Sequence, residues 1–458
     1  MIRRLLDNLP EAAILALLGF AFLLGGSARP DMLSVILLRP IGVLLLALAI
    51  AWTPREVWRG NRVLIGIALA WIALALVQLV PLPQAVWQAL PGRELAIEID
   101  AAVGLDVWRP LSLVPWRTFN ALLALCLPLA VLLLTLQVRR DRQHRVVYLL
   151  FALVIVSAVL GLLQVIGGPN NGFYTYRVTN PDSAVGLLAN RNHNAIFLSL
   201  GLPLLAASLA LWPTASELVR LRNAAGAGAG LLLIPFILTT QSRAGILVAL
   251  LCAGLALWVF RAPAAVSQKR RPRTQINPRL IFGGFAAVGV VLLTVVFTAT
   301  NAVERLSRLG REDDELRLTI WPNVARLIGD YFPIGSGFGT FDEIYRTAEP
   351  AETLSPKYIN HAHNDWLEVL MTGGLPAALI LLAAVVFFAT RSLQVLRTER
   401  DPRAIVLHRL GISICFVLAL ASLYDYPLRT PALAALFAAG MALACGSWRK
   451  DRRAGTGG

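Results

Sequence analysis

The chain has 458 residues, 57% of them hydrophobic and 15% charged, and a mean hydropathy of +0.66. A soluble protein carries about 25% charged residues, so this composition, repeated as apolar runs of about 20 residues, excludes a soluble enzyme and points to a polytopic membrane protein. The net charge of +15 and pI near 10.6 do not indicate a nucleic-acid binder, because the basic residues sit between apolar runs and form no single patch.

Runs bounded by charge, proline or glycine predict twelve spanning helices. The first six lie near 11–26, 33–52, 63–81, 117–137, 146–167 and 193–212, and the rest near 224–240, 244–260, 280–300, 364–390, 404–424 and 428–447. The first follows Arg3 and Arg4 and ends in Gly25-Gly26-Ser27-Ala28, which imitates a signal peptide. Many spans follow it, so it reads as an uncleaved first helix. The expectation is one all-α integral membrane domain over residues 1–458, with a large periplasmic loop at 301–363 between the ninth and tenth spans. Positive loops stay on the cytoplasmic side. With the N-terminus there, that face receives 26 basic residues against 9 in the short loops of the other face, so both termini are expected to be cytoplasmic. Trp52, Trp116, Trp212, Trp258 and Trp448 fall near span ends, as interfacial anchors do. Cys126, Cys252, Cys415 and Cys445 lie inside apolar runs without metal-ligand spacing, which argues against disulfides and a zinc site.

Three outer segments have content. Pro81 to Trp116 mixes prolines with an amphipathic stretch and is expected to lie on the membrane. Gly167 to Asn192 contains Asn170, Asn171, Tyr174, Tyr176, Arg177 and Asn180, types that suit carbohydrate. Asn301 to Ala362 opens with a charged amphipathic portion, then carries Ile320, Val324, Leu327, Ile328 and Tyr331 at helical spacing. Its Gly335-Ser336-Gly337-Phe338-Gly339 has the look of a phosphate-cradling loop, but without a strand-turn-helix context it reads as a tight turn.

Four stretches bring polar residues to one face: Arg191-Asn192-His193-Asn194, Gln241-Ser242-Arg243-Ala244-Gly245, His361-Ala362-His363-Asn364-Asp365, and Tyr424-Asp425-Tyr426-Pro427-Leu428-Arg429. Ionisable groups at membrane depth are costly and usually functional. His361 and His363 beside Asp365 offer a metal-site alternative, but an i, i+2 pair does not share a helix face. A general base is the better reading, since imidazole takes a hydroxyl proton near neutral pH, with Asn364 or Asp365 to orient it and His193 as the next candidate. Arg191 and Arg243 sit at span ends with little loop to solvate them. Guanidinium matches phosphate oxygens bidentately, which suits a lipid-linked pyrophosphate; the bland alternative is snorkelling. Arg39, Arg317 and Arg429 are weaker candidates of the same kind.

These stretches, with Asn190 to Ala195, Ser242 to Gly245, Trp321 to Phe341 and His361 to Leu367, resemble the O-antigen ligase and O-antigen polymerase family of bacterial inner-membrane glycosyltransferases. The motifs cover residues 185–390. The resemblance implies a GT-C type membrane fold and a metal-independent, cofactor-free transfer of glycan from undecaprenyl diphosphate to a periplasmic acceptor hydroxyl. It matches His363 to the catalytic position and Arg191 and Arg243 to pyrophosphate binding. Ligase and polymerase share donor and mechanism but differ in acceptor, lipid A core for one and a lipid-linked glycan for the other. An exopolysaccharide polymerase fits equally. Related protein O-glycosylating enzymes commonly carry a further C-terminal region, which lowers a protein acceptor. A lipid-linked oligosaccharide flippase is the rival outside the class, but transporters carry midplane ionisable or helix-breaking features and similar halves, whereas here the polar residues crowd one outer face.

Overall fold

A computed structural model describes residues 2–29, 32–169, 171–214, 218–261, 283–285, 287–291, 317, 319–351, 354 and 358–448. The structure is mostly helical, 74% helix and 1% strand, so an all-α description holds for the described residues. Eleven apolar helices recur along the described chain: α1 Ile2–Leu24, α2 Val35–Trp52, α3 Arg62–Gln78, α4 Pro115–Gln137, α5 Gln143–Ile166, α6 Arg191–Leu211, α7 Val219–Leu238, α8 Arg243–Phe260, α9 Asp365–Thr398, α10 Pro402–Ala421 and α11 Pro431–Cys445. Among the described residues, eight helices are long and apolar enough to cross a membrane; the apolar part of α1, with α3 and α11, is shorter. The span expected at 280–300 lies outside the described residues except for 283–285 and 287–291, and Asn170 and the charged portion at 301–316 lie outside them altogether.

Two helices organise the bundle. α6 is hydrophobic all round and buried along most of its length, the signature of a central helix, and it packs on α5, α7, α8 and α10. α4 is the second hub, packed on α1, α2, α3 and α11. Gly411 joins the two groups: a Cβ there would lie 2.3 Å from the Ala444 amide nitrogen and 2.6 Å from the Gly440 carbonyl, so the α10 and α11 backbones touch.

The chain alternates direction, and contacts at one end identify which helix ends meet. The Gly25 carbonyl at the end of α1 accepts from Ala432 at the start of α11. Asn192 at the start of α6 reaches Asp425 after α10, and the Asp365 amide at the start of α9 donates to the Ser422 carbonyl. α6 and α8 run parallel, since Gly245 packs on Ala195 and Ser199 Oγ donates to the Gly245 carbonyl. Their N-termini therefore share this end, here termed the site end.

α9 is broken within the bundle. Gly374 has φ of 59°, a conformation natural to glycine and strained for other residues, and Pro376 follows with no amide hydrogen to donate. The glycine-rich turn fills the break. The Ser336 amide donates to the Met371 carbonyl at 3.1 Å, Gly337 to Thr372 at 2.9 Å, and Leu375 to Pro333 at 2.8 Å. Gln78 closes the junction, donating to the Thr372 carbonyl at 3.1 Å and accepting from Phe338 at 2.8 Å. These bonds make the 335–339 stretch a tight structural turn, because its amides are spent on carbonyls that the break leaves free.

The segment between α3 and α4 forms a two-residue ribbon, Pro81–Leu82 against Arg109–Pro110, and a helix, Glu94–Val103. Leu95, Ile99 and Val103 on that helix are exposed, as is Trp108, matching the amphipathic expectation. Arg93 anchors it from beneath, donating to the Leu111 carbonyl at 2.8 Å; burial pushes its guanidinium down to about 10.

A methyl group at Gly374 would meet the Pro333 carbonyl oxygen at 2.3 Å in a conformation that alanine resists. Gly374→Ala should therefore cost about 1–3 kcal/mol and lower the thermal unfolding temperature in detergent. Gly254→Ala, where a Cβ meets open space, should be neutral or slightly stabilising. Equal behaviour of the two variants would show that the break is not required.

Candidate active site

The site end is built on caps. Asn364 ends an irregular stretch and starts α9, its side chain accepting from the Trp366 and Leu367 amides at 3.0 and 3.1 Å, as N-cap asparagines do. The same side chain donates to the Leu423 carbonyl at 2.9 Å, so the cap also fixes the turn between α10 and α11. Asn190 caps α6 and accepts from Asn192 at 2.7 Å. Ser242 caps α8, accepting from Gly245 at 3.0 Å. Immediately before the α9 cap, His363 has φ of 49°. A left-handed residue that is not glycine stores strain of order 1–3 kcal/mol, which functional sites tend to retain.

Three carboxylates are buried here: Asp365, Glu368 and Asp425. Asp365 accepts from Arg429 Nε at 3.0 Å, Ser422 Oγ at 2.9 Å and the Leu428 amide at 3.2 Å. Glu368, one turn further along α9, accepts from His361 Nδ1 at 3.1 Å and the Ala362 amide at 3.0 Å. Asp425 accepts from Asn192 at 3.1 Å and the Tyr426 amide at 2.9 Å. Two imidazoles approach its Oδ1 at 3.7 Å, His193 through Nε2 and His363 through Nδ1.

Tyr426 is the hub of the three imidazoles. Its ring centroid lies 5.1 Å from that of His193, 4.5 Å from His361 and 4.9 Å from His363. Burial, then the charge of Asp425, push its phenol above the usual range, while hydrogen bonding with Asn190 and Asn360 works the other way. Burial opposes ionisation of Asp425, but hydrogen bonds and charge from His193 and His363 outweigh it and hold the carboxyl well below the ordinary range. For Arg429, burial disfavours the cation, yet Glu368 and Asp365 overcome it and raise the guanidinium.

The expected candidates thus separate. His193, His361, His363, Asn364, Asp365 and Arg429 form one cluster. Arg191 and Arg243 stand at the N-termini of α6 and α8 at the same end, the first buried and the second exposed, where the helix dipoles also favour an anion. Arg39 engages Asn120 of α4 at 2.6 Å, and Arg317 is half-buried just before the helix at 319–330. The expected orienting groups differ from those found: Asp365 serves Arg429, Asn364 serves as a cap, and the carboxylate beside His363 is Asp425. Glu368 also escaped sequence reading, and Tyr426 enters it only as part of the Tyr424 to Arg429 stretch, with no role. Glu368 carried a signal, an acid one turn beyond Asp365. Asp425 lay in a polar stretch already singled out, but its pairing with α6 is long-range.

Side chains of the 167–192 segment mostly hold their own loop. Tyr174 hydroxyl donates to the Pro181 carbonyl, Tyr176 hydroxyl accepts from Gly26 at 2.7 Å, and Asn180 accepts from the Arg191 amide at 3.0 Å. Trp321, on the helix at 319–330, donates to the Ala362 carbonyl at 3.0 Å and so holds the histidine loop from above. Among the described residues, no three His, Cys, Asp or Glu side chains are grouped to hold a metal ion.

A helical, polytopic membrane protein with a histidine–carboxylate cluster at one end of its bundle is what the fold defines. Residues 228–382 of the 458 match the family model described as O-Antigen ligase, and the resemblance read from the motifs is borne out over that stretch. The matched stretch includes Arg243, Arg317, His361, His363 and Glu368; Arg191, His193, Asp425 and Arg429 lie outside it. The family is one of ligase or glycosyltransferase-like enzymes, which supports a ligase- or polymerase-like role in O-antigen biosynthesis. No curated protein matches the chain.

Arg429 has two buried carboxylate partners, and removing one member of such a network leaves uncompensated charge. Arg429→Ala should destabilise the protein by about 3–5 kcal/mol, read as a lower thermal unfolding temperature, and Arg429→Lys should recover part of the loss. An unchanged transition in Arg429→Ala would show that the carboxylates are neutralised by other means.

Proposed function

We propose that the protein is a glycosyltransferase of the O-antigen ligase type. In this reading it moves a glycan from undecaprenyl diphosphate to a hydroxyl of lipid A core, on the periplasmic side of the bacterial inner membrane. The observation that carries it is His363, the most exposed of the three clustered imidazoles, with Asp425 on its Nδ1 side and two helix N-termini bearing arginine at the same end.

The chemistry needs two things. The acceptor hydroxyl must lose a proton, and an imidazole with Nδ1 facing a carboxylate keeps Nε2 for that task. The departing diphosphate must be stabilised as negative charge builds on it, for which Arg191 and Arg243 supply donors in fork geometry. The diphosphate is already a good leaving group, so neither a nucleotide nor a metal is needed. The partners are the lipid-linked donor, the acceptor glycolipid and the surrounding membrane lipids.

Transfer of glycan by purified protein tests the reading. A general base contributes about a hundredfold to ten-thousandfold, so His363→Ala should abolish detectable transfer while the protein stays folded. Arg191→Lys and Arg243→Lys should both impair it, because ammonium keeps the charge and loses the planar fork. Excess chelator should leave activity intact. Full activity in His363→Ala, or loss in chelator reversed by a divalent ion, would overturn this mechanism.

The orientation has its own test, motivated by the asymmetry of basic residues. Ala351 is exposed beyond the site end, and Ala351→Cys in intact cells should react with a membrane-impermeant thiol reagent once the outer membrane is permeabilised. Labelling only after lysis of the inner membrane would reverse the assigned topology.

A further inference from the structure

The cluster holds more proton-handling groups than one base requires. Glu368 is 1% exposed and has no part in the transfer as described, yet its carboxylate is densely engaged. His361 Nδ1 lies 3.1 and 3.2 Å from its two oxygens, the Ala362 amide is at 3.0 Å, and Arg429 Nε is at 3.5 Å. A carboxylate that takes these donors only accepts, so the proton of this contact sits on His361 Nδ1 and the ring is fixed. The opposite nitrogen, His361 Nε2, is buried and has no hydrogen-bond partner among the described residues, and Arg429 Nη2 is in the same condition. Buried nitrogens without partners are uncommon in native proteins and call for a ligand or a water. Both belong to side chains that hang on the same carboxylate.

We propose that His361, positioned by Glu368, is a second catalytic imidazole that gives a proton to the departing diphosphate, while His363 takes the proton of the acceptor hydroxyl. This rests on the transfer reading above. The acceptor oxygen bonds to the anomeric carbon as its proton passes to His363. The bond from that carbon to the phosphate oxygen breaks, its electron pair leaving on the diphosphate, and His361, which enters the step as the imidazolium with Nδ1–H held on Glu368, passes its Nε2 proton to a terminal phosphate oxygen and is left neutral. After release, exchange with solvent returns both imidazoles to their starting forms. Arg429 Nη2 is the second donor left for the same anion. Glu368 is a positioning residue, since it acts through His361.

The titratable and charged groups around His361 are Glu368 and Asp365 on α9, Asp425, Tyr426 and Arg429 on the turn before α11, His193 on α6, and His363 on its own loop. The test uses the full chain in lipid nanodiscs with undecaprenyl-diphosphate-linked glycan as donor. His361→Gln and Glu368→Gln should each lower kcat by about a hundredfold or more with donor KM little changed. The double variant should be no worse than the poorer single one, because the two act as a unit. His361→Gln should lose the alkaline limb of the kcat profile, which reports the acid, and keep the acidic limb, which reports the base, whereas Glu368→Gln, which leaves the imidazole without its carboxylate, should move the alkaline limb to lower pH. Glu368→Asp should recover part of the rate. If Glu368→Gln unfolds more readily, His361→Gln decides alone. Wild-type kcat in His361→Gln, or a slower enzyme with its alkaline limb intact, would overturn the proposal. If the unsubstituted protein transfers no glycan from this donor, the transfer reading itself falls, a result distinct from either.

Discussion

Three buried carboxylates at one end of a helix bundle constrain everything around them. Removing a carboxylate from water costs several kcal/mol unless charge and hydrogen bonds replace the lost hydration, and Asp365, Glu368 and Asp425 are all nearly inaccessible. Their partners come from distant parts of the chain: Asn192 and His193 from α6, His361 and His363 from the loop before α9, Ser422 and Arg429 from the turn between α10 and α11. Satisfying the carboxylates therefore fixes how these segments meet.

The fold supplies rigid supports for that meeting. α6 is held on four sides, so His193 and the Asn190 cap have little freedom. The Asn364 cap ties the start of α9 to the Leu423 carbonyl, and Trp321 pins the Ala362 carbonyl from the other side. His363 lies between those two restraints in a left-handed conformation, which the surrounding bonds over-determine. The glycine-rich turn acts further along α9, where it caps the break at Gly374 and separates the carboxylate-bearing first turns from the long apolar segment after it. A candidate site on rigid element ends, with strained residues at His363 and at Gln241 before the α8 cap, is the arrangement expected where geometry matters to chemistry.

Placing the site at helix N-termini has an electrostatic consequence. α6 and α8 both direct their partial positive ends to it, and each begins with an arginine. The region thus combines an anion-favouring rim with an interior that balances its own acids through histidines and Arg429.

The sequence by itself determined the class of protein, because apolar runs of spanning length leave few alternatives, and helix ends were legible from their caps and charges. It also marked His193, His361, His363, Arg191, Arg243 and Arg429, since ionisable side chains beside apolar spans are conspicuous. The role of Gly335 to Gly339 as a turn was legible from its context, though its partner, the break in α9, was hidden inside one apolar run. What only the tertiary structure decided is the pairing. Local spacing suggested Asn364 or Asp365 as the group beside His363, but Asp365 turns to Arg429 and Asn364 is consumed by the helix start. Asp425, 62 positions along the chain from His363, takes that place, and Glu368 holds His361. Periodicity reports which face a residue occupies within its own helix; which carboxylate meets which imidazole depends on how helices far apart in sequence pack, and that is fixed by the burial of the whole bundle.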